Sequence, residues 1–285
     1  MGIISIALPY DDRWYFAEAL RGATVRIQEA GHEAVVHVVP PSPTATADAV
    51  TAIERDFAAP DSLGAIALGF RYVPDQKGRS IALQQPLVII GGSVLGFPTV
   101  MIDDSGGAWA ATDHLMQLGH TRIVHLAGVM HDQMDFSVHA RRARGYLRAL
   151  ERAALEPLIV ESEFDPDAAY EAARSVLTAR TPPTAIFAVS DEIAYPVLAA
   201  ARDLGLGIGT DLSVVGFDDH PRAAEEDLTT IRQRPDEQGA AAADLLLSGI
   251  GRGPDPKQSR LMPTCLLYTS PSPRDRTRSR MPSSA

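Results

Sequence analysis

Short apolar runs of strand length recur along the whole chain, and stretches with helical spacing of apolar residues separate most of them. That alternation is the strongest constraint in the sequence, because strand–helix–strand units close most readily into parallel sheets through right-handed crossovers. Ile3 to Leu8 is the first run, followed by a loop crowded with Asp11, Asp12, Arg13, Trp14 and Tyr15. From Phe16 the residues Phe16, Leu20, Ala23, Ile27 and Ala30 fall at spacings of four and three, the mark of a helix, which stops at Gly31. Ala34 to Val39, Leu63 to Phe70, Pro86 to Ile90 and Thr99 to Ile102 read as further strands, with a helix at Asp48 to Phe57.

The second half repeats the scheme. A helix from about Ser105 turns Ala108, Ala111, Leu115 and Leu118 inward and stops at Gly119; Arg122 to Ala127 is a strand; Ser137 to Ala154 is a long helix with Ala143, Leu147, Leu150 and Ala154 on its apolar face. Leu158 to Glu161 is a strand, Asp165-Pro166 opens a helix in the cap-then-Pro arrangement, and Ala185 to Val189 is a strand before a helix capped by Asp191. Leu212 to Asp219 is a buried strand, Asp236 to Leu247 the last clear helix, and Ser259 to Met262 the start of a strand. About ten strands are too many for one small sheet. Two doubly wound, parallel-sheet α/β lobes fit, and 285 residues suit two domains. Such pairs bind ligands in the cleft between lobes, at the carboxyl ends of the strands.

Charge and composition exclude several functions. A net charge of -10 argues against a phosphate backbone as direct partner. The single cysteine, Cys265, excludes an internal disulfide and a cysteine metal cluster. No apolar stretch approaches bilayer-spanning length and no basic segment precedes the first strand, so the expected location is the cytoplasm.

From Cys265 the chain becomes rich in Ser, Pro and Arg and loses periodicity. Cys265 to Asp275 and Ser279 to Ala285 resemble, in one reading frame, the conceptual translation of a transposase-based sequencing adaptor. Residues 265–285 are therefore expected to be an artefactual, disordered tail outside the fold. Its four Arg and one Asp contribute +3, so the chain to Thr264 carries -10 - 3 = -13.

Signatures of catalysis are missing. No Gly-x-Gly-x-x-Gly or P-loop follows the first strand, no Gly-x-Ser-x-Gly elbow is present, and the eight histidines show no metal-ligand spacing. Catalytic residues, metals and cofactors are expected to be none. His114 and His120 read as helix-end and surface residues, His120 reaching the last helix carbonyls. The pairs Asp11/Asp12, Asp103/Asp104 and Asp218/Asp219 are adjacent on the chain and face opposite ways when extended, so none is a ready acid–base dyad.

Binding fits better. Asp218 ends a buried strand, where a parallel sheet holds its ligand; the alternative is that one of the pair caps the next turn. Trp14, Tyr15, Phe16, Phe70 and Phe164 follow strands, where aromatic faces suit sugar rings and Arg or Asp can bond hydroxyls; packing between strands is the alternative for each.

Four ordered stretches carry a specific resemblance: Leu118-Gly119-His120-Thr121-Arg122-Ile123, Arg142-Ala143-Arg144-Gly145-Tyr146, Pro183-Thr184-Ala185-Ile186-Phe187-Ala188, and Leu212 to Asp219 followed by Leu228-Thr229-Thr230-Ile231-Arg232-Gln233. Over Ile3 to Thr264 the chain resembles the LacI/GalR family of bacterial transcription repressors. The resemblance implies a type I periplasmic-binding-protein-like fold, a homodimer, and a small-molecule effector, a sugar or sugar derivative. By position it places ligand contacts on Phe16, Arg142, Phe164, Ser190, Asp191, Asp218 and Gln233. For Asp191 a helix-cap role stands beside ligand contact.

It also implies lobes at 1–103, completed by 235–257, and 104–234, completed by 258–264. The chain departs from the family pattern in lacking a helix-turn-helix and hinge, so DNA binding is expected only through a domain absent from it. Gly91-Gly92 stands where the family usually has an Asp, which argues against a common hexose, and the segment ending at Thr264 lacks the family's final strand. The resulting expectation is the effector-sensing, dimerising domain of a LacI-type regulator. The rival is a solute-binding protein for uptake, which shares the fold.

Overall fold

The structure is a computed structural model; it describes residues 1–40, 45–57, 59–69, 85–92, 97–128, 137–252 and 256–268. Phe70, expected among the aromatic contacts, lies outside them. The described residues divide into two compact units, the first built mainly from those of 1–102 and 234–263, the second from those of 103–128, 139–233 and 264–268. Each contains a six-stranded sheet, parallel except for one edge strand in the second.

In the first unit, β1 (Ile3–Leu8), β2 (Glu33–Val38), β3 (Ser62–Leu68), β4 (Leu87–Ile90), β5 (Thr99–Ile102) and β11 (Arg260–Met262) stand in the order β11-β5-β4-β3-β1-β2. β1, β3 and β4 are apolar almost throughout, as central parallel strands covered on both faces must be. Helix α1 (Trp14–Glu29) sends Phe16, Ala19, Ala23 and Ile27 into the core with Ile4, Ile6 and Leu8. Gly31, at φ 79°, ends it in the left-handed conformation that glycine adopts without strain. α2 (Ala45–Phe57) adds Ala49 and Ile53. α8 (Pro235–Gly249) returns to this unit with Leu245 and Leu246 buried beside Val88 and Ile90.

In the second unit, β6 (Ile123–Gly128), β7 (Leu158–Ser162), β8 (Ala185–Ala188), β9 (Ser213–Asp218), β10 (Thr229–Arg232) and β12 (Cys265–Leu267) stand in the order β12-β10-β9-β8-β6-β7. Around them lie α3 (Asp104–Gln117), α4 (Ser137–Arg152), α5 (Pro166–Leu177), α6 (Asp191–Asp203) and the single turn α7 (Arg222–Glu225). Asp165 caps α5 as its sequence implies, accepting from Asp167 N and Ala168 N.

Four expectations need correcting. Residues 258–264 do not complete the second lobe: β11 pairs in parallel with β5, and Ser259 Oγ accepts from Thr99 N at 3.0 Å. The chain leaves α8, which packs on the first sheet, and returns to that sheet's open edge. Secondly, the tail is not wholly outside the fold. Cys265–Leu267 pairs antiparallel with β10, half-burying Leu266 and Leu267, and Tyr268 meets His114 edge-on at 4.9 Å. An unpaired strand edge accepts an extended apolar tripeptide through backbone bonds whatever its origin.

Thirdly, α4 buries Ala143, Tyr146, Ala149 and Leu150 while the expected Leu147 is exposed, and Ala154 lies beyond the helix. Tyr146 earns its place by closing its hydroxyl onto Ile123 O, Leu158 O and Leu158 N. Finally, Ser190 rather than Asp191 caps α6, accepting from Ile193 N. Among the described residues, no helix is long and apolar enough to cross a membrane.

Candidate functional site

The carboxyl ends of β8, β9 and β10, with the first turns of α3 and α6 and the second turn of α4, gather the buried charge of the second unit. The Arg-x-x-Gly spacing of α4 explains how. A Cβ on Gly145 would run into Ser105 O and come within 2.8 Å of Ala108 Cβ, so only glycine lets α4 press this closely on α3. One turn earlier, Arg142 then lies against the start of α3. Its Nε donates to Asp104 Oδ1 at 3.0 Å, and its Nη1 donates to Val189 O at 2.6 Å and lies 3.5 Å from Asp218 Oδ1. The guanidinium rests on the face of Phe217, 3.5 Å from the ring centroid.

Phe217 faces Arg142 because residues alternate along β9. Its neighbour Gly216 faces the other way, and there Asp191 Oδ1 occupies the space of a Cβ. Asp218 follows at φ 123° and Asp219 at φ 61°, two consecutive non-glycine residues in the left-handed half of conformational space. Such a backbone costs on the order of 1–3 kcal/mol per residue and persists only where surrounding contacts hold it.

Three carboxylates are buried here, Asp104, Asp191 and Asp218, with one buried guanidinium among the described residues. Burial pushes Asp218 up to about 7, against the opposing pull of Arg142 and of Gln233 Nε2, which donates to Oδ1 at 2.6 Å. Burial likewise raises Asp104 despite its Arg142 contact, and raises Asp191 strongly, the Asp218 charge adding to the effect. Desolvation outweighs the single cation.

Of the sequence-derived contacts, Arg142, Asp218 and Gln233 form one bonded group, and Ser190 and Asp191 open α6 beside it. Ser190 Oγ is engaged as the helix cap. Asp191 has both oxygens taken: Oδ1 accepts from Thr230 Oγ1 at 2.7 Å and Oδ2 from His220 N at 2.9 Å. Phe164 stacks parallel to His139, with ring centroids 5.9 Å apart. Phe16 is different. It belongs to the first unit, 6% exposed and packed between Tyr10 and Tyr15, so its ring is core.

Sequence reasoning missed Asp104, Thr230 and His139. Asp104 was visible as one of two carboxylates opening α3; Asp103 takes the cap, accepting from Gly106 N at 2.8 Å, which leaves Asp104 to turn inward. His139 stands one turn before Arg142, and its ring fills the space a Cβ on Gly128 would need. Also unforeseen, the His120 ring bonds the Thr184 and Ser213 hydroxyls at 3.0 and 2.8 Å, at the amino ends of β8 and β9, while only its backbone N–H reaches a helix carbonyl, Leu115 O.

What remains open is one donor and one acceptor on neighbouring side chains. Among the described residues, no hydrogen bond engages Arg142 Nη2 or Asp218 Oδ2, although both side chains are more than nine-tenths buried. Neither atom is among the fully buried polar atoms without a partner, so both reach solvent, where a ligand offering an acceptor and a donor can meet them.

A sequence model of the periplasmic binding protein-like domain matches residues 112–269, more than half the chain. The HTH-type transcriptional regulator AglR of Rhizobium meliloti (strain 1021) is 29% identical over 95% of this chain and 77% of its own length. The ribose operon repressor of Haemophilus influenzae is 35% identical over 68% of this chain; the match covers 60% of that repressor. Among solved structures, a LacI transcriptional regulator from a Rhodococcus species superposes with a TM-score of 0.79 at 26% identity, covering 94% of this chain and 98% of that one. The chain belongs to the periplasmic binding protein-like domain family, in the form carried by LacI-type transcription regulators.

Proposed function

We propose that this chain is the effector-sensing domain of a cytoplasmic transcription regulator, and that its effector is an uncharged, hydroxyl-rich small molecule of the sugar class. The observation that carries this is the open pair at Arg142 Nη2 and Asp218 Oδ2. Neighbouring hydroxyls on one ring match it, one accepting from the guanidinium and one donating to the carboxylate. The single buried guanidinium is already shared by Asp104 and Asp218, which disfavours a phosphate or carboxylate ligand. Phe164 supplies an aromatic face nearby, and Ser190 and Gln233 add polar groups. The ribose operon repressor's name points to the same ligand class.

As a regulator's domain, the chain acts through a second copy and through a DNA-binding domain attached to it. The effector shifts its conformational equilibrium by no more than its differential affinity for the two states. The relatives reported above are named as regulators, which favours this reading over solute uptake and over catalysis.

A thermal-shift screen against neutral sugars, sugar phosphates and nucleobases tests it. A stabilising neutral sugar, whose calorimetric binding is abolished by Asp218→Ala and by Arg142→Ala, is the expected result. Unaltered affinity in both variants, or a preference for sugar phosphates, overturns it.

A further inference from the structure

We infer that Asp191, with Thr230, is a positioning residue that holds the strained Asp218–Asp219 turn, and so aims Asp218, without itself touching the effector. This rests on the reading of Asp218 as an effector contact. Four observations from separate parts of the chain carry it. Asp191 is fully buried at the start of α6 and spends both oxygens on other elements, one on Thr230 Oγ1 in β10 and one on His220 N just past β9. Thr230 Oγ1, while donating to Asp191, also receives Asp219 N at 3.3 Å. The two residues so bracketed, Asp218 and Asp219, have φ of 123° and 61°. And β9 carries glycine at 216, where Asp191 Oδ1 fills the space of a Cβ, so the strand leaves room for this carboxylate.

Positive-φ backbone at Asp and Asp relaxes to ordinary conformations unless neighbouring bonds hold it. The backbone N–H groups of residues 219 and 220 are the handles, and Thr230 and Asp191 grip them in turn. Neither bond needs a negative charge on residue 191, since an amide can accept from His220 N and donate to Thr230 Oγ1. Both oxygens of Asp191 are committed to other elements of the same unit and the side chain is fully buried, so it presents no exposed face to an effector.

The test reads Asp218 directly, with no ligand present. The carboxyl 13C resonance of Asp218 is titrated in the whole protein as wild type, Asp191→Asn, Asp191→Ala, Thr230→Ser and Thr230→Val, with circular dichroism confirming the fold. Arg142, Asp104 and Glu192, the other charges acting on Asp218, are the same in all five. Wild type should titrate near 7. Asp191→Asn and Thr230→Ser, which keep the bonds, should stay close to it. Asp191→Ala and Thr230→Val should fall by about one pH unit or more toward the ordinary carboxylate range as the turn relaxes and water reaches Asp218.

If Asp191→Ala proves unfolded, the Thr230 pair carries the test alone. The inference is overturned if the Ala and Val variants titrate like wild type, or if Asp191→Asn falls as far as Asp191→Ala, which would make the charge and not the position responsible. Because no effector enters, a failed sugar screen leaves these titrations standing, and the two readings fail separately.

Discussion

The second unit has a polar cluster at each end of its sheet, and the two are built on opposite principles. At the amino end, His120 joins the hydroxyls of Thr184 and Ser213, all uncharged and each nitrogen used. At the carboxyl end, Arg142, Asp104, Asp191 and Asp218 bury charge that one guanidinium does not balance, on a backbone held at positive φ, with a donor and an acceptor still open. The first arrangement is a satisfied tie between neighbouring strands. The second stores unfavourable desolvation and strain, which is the usual condition of a site awaiting a ligand.

Breaking the charged end should cost most. Arg142→Ala leaves Asp104 and Asp218 buried without their cation and should destabilise the protein by about 3–5 kcal/mol in urea denaturation, besides abolishing sugar binding. Arg142→Lys should recover part of the stability and little of the binding, since an ammonium cannot span Asp104, Val189 O and Asp218 as a planar fork does. Equal stability of Arg142→Ala and wild type would mean that the cluster is not held as a unit.

The two ends should also respond to acid with opposite signs. Asp218 has a folded pKa of about 7 against 3.8 when exposed. Between those values the native state binds more protons than the unfolded state, so this contribution is fully present below pH 3.8 and is lost as pH rises through 7. The slope should approach 1.4 kcal/mol per pH unit at most, roughly. Asp104 and Asp191, also raised, act in the same direction. His120 is lowered by burial, so its contribution is present above 6.5 and lost as pH falls. Asp218→Asn should therefore flatten the fall in stability between pH 4 and 7 and stabilise the protein at pH 8. An unchanged profile would place Asp218 in water.

Much of the fold was legible because its signal is local and repeated: the strand–helix alternation and the capping residues Asp165 and Gly31 are written in neighbouring positions. The misreadings fall where the deciding partner is distant. Which sheet takes β11 depends on Val100 and Ser259, some 160 positions apart, and three residues carry no period to reveal it. Spacing alone puts Leu147 on the apolar face of α4, whereas the structure buries Tyr146, whose phenol bonds Leu158 and Ile123. In the candidate site, the motifs point to Arg142 and Asp218, whereas the inward turn of Asp104 depends on Asp103 taking the cap, and the engagement of Asp191 depends on Thr230 and His220.

β12 offers a smaller perturbation at the strand edge between those two ends. Deleting 265–285 removes a short strand and the Tyr268–His114 contact, and bares β10. The melting temperature should fall, by an amount equivalent to about 1–2 kcal/mol, with concentration-dependent self-association through the open edge. Deleting 269–285 alone leaves β12 in place and serves as the control. Equal melting temperatures for both deletions and the full chain would mean that the tail contributes no strand.

The least costly change lies at the amino end. His120→Ala removes two hydrogen bonds at a half-buried position, and water can reach the Thr184 and Ser213 hydroxyls once the ring is gone. The loss should be about 1 kcal/mol, smaller than for Arg142→Ala because no charge is left buried. Sugar affinity should be unchanged, since the tie lies at the amino ends of β8 and β9 and the open valences at their carboxyl ends. The acid-side loss of stability contributed by His120 should vanish, while the alkaline-side loss contributed by Asp218 should remain. If His120→Ala instead weakened sugar binding to the same degree as Asp218→Ala, the two ends of the sheet would be energetically coupled through its strands, and the separation of structural tie from binding site would fail.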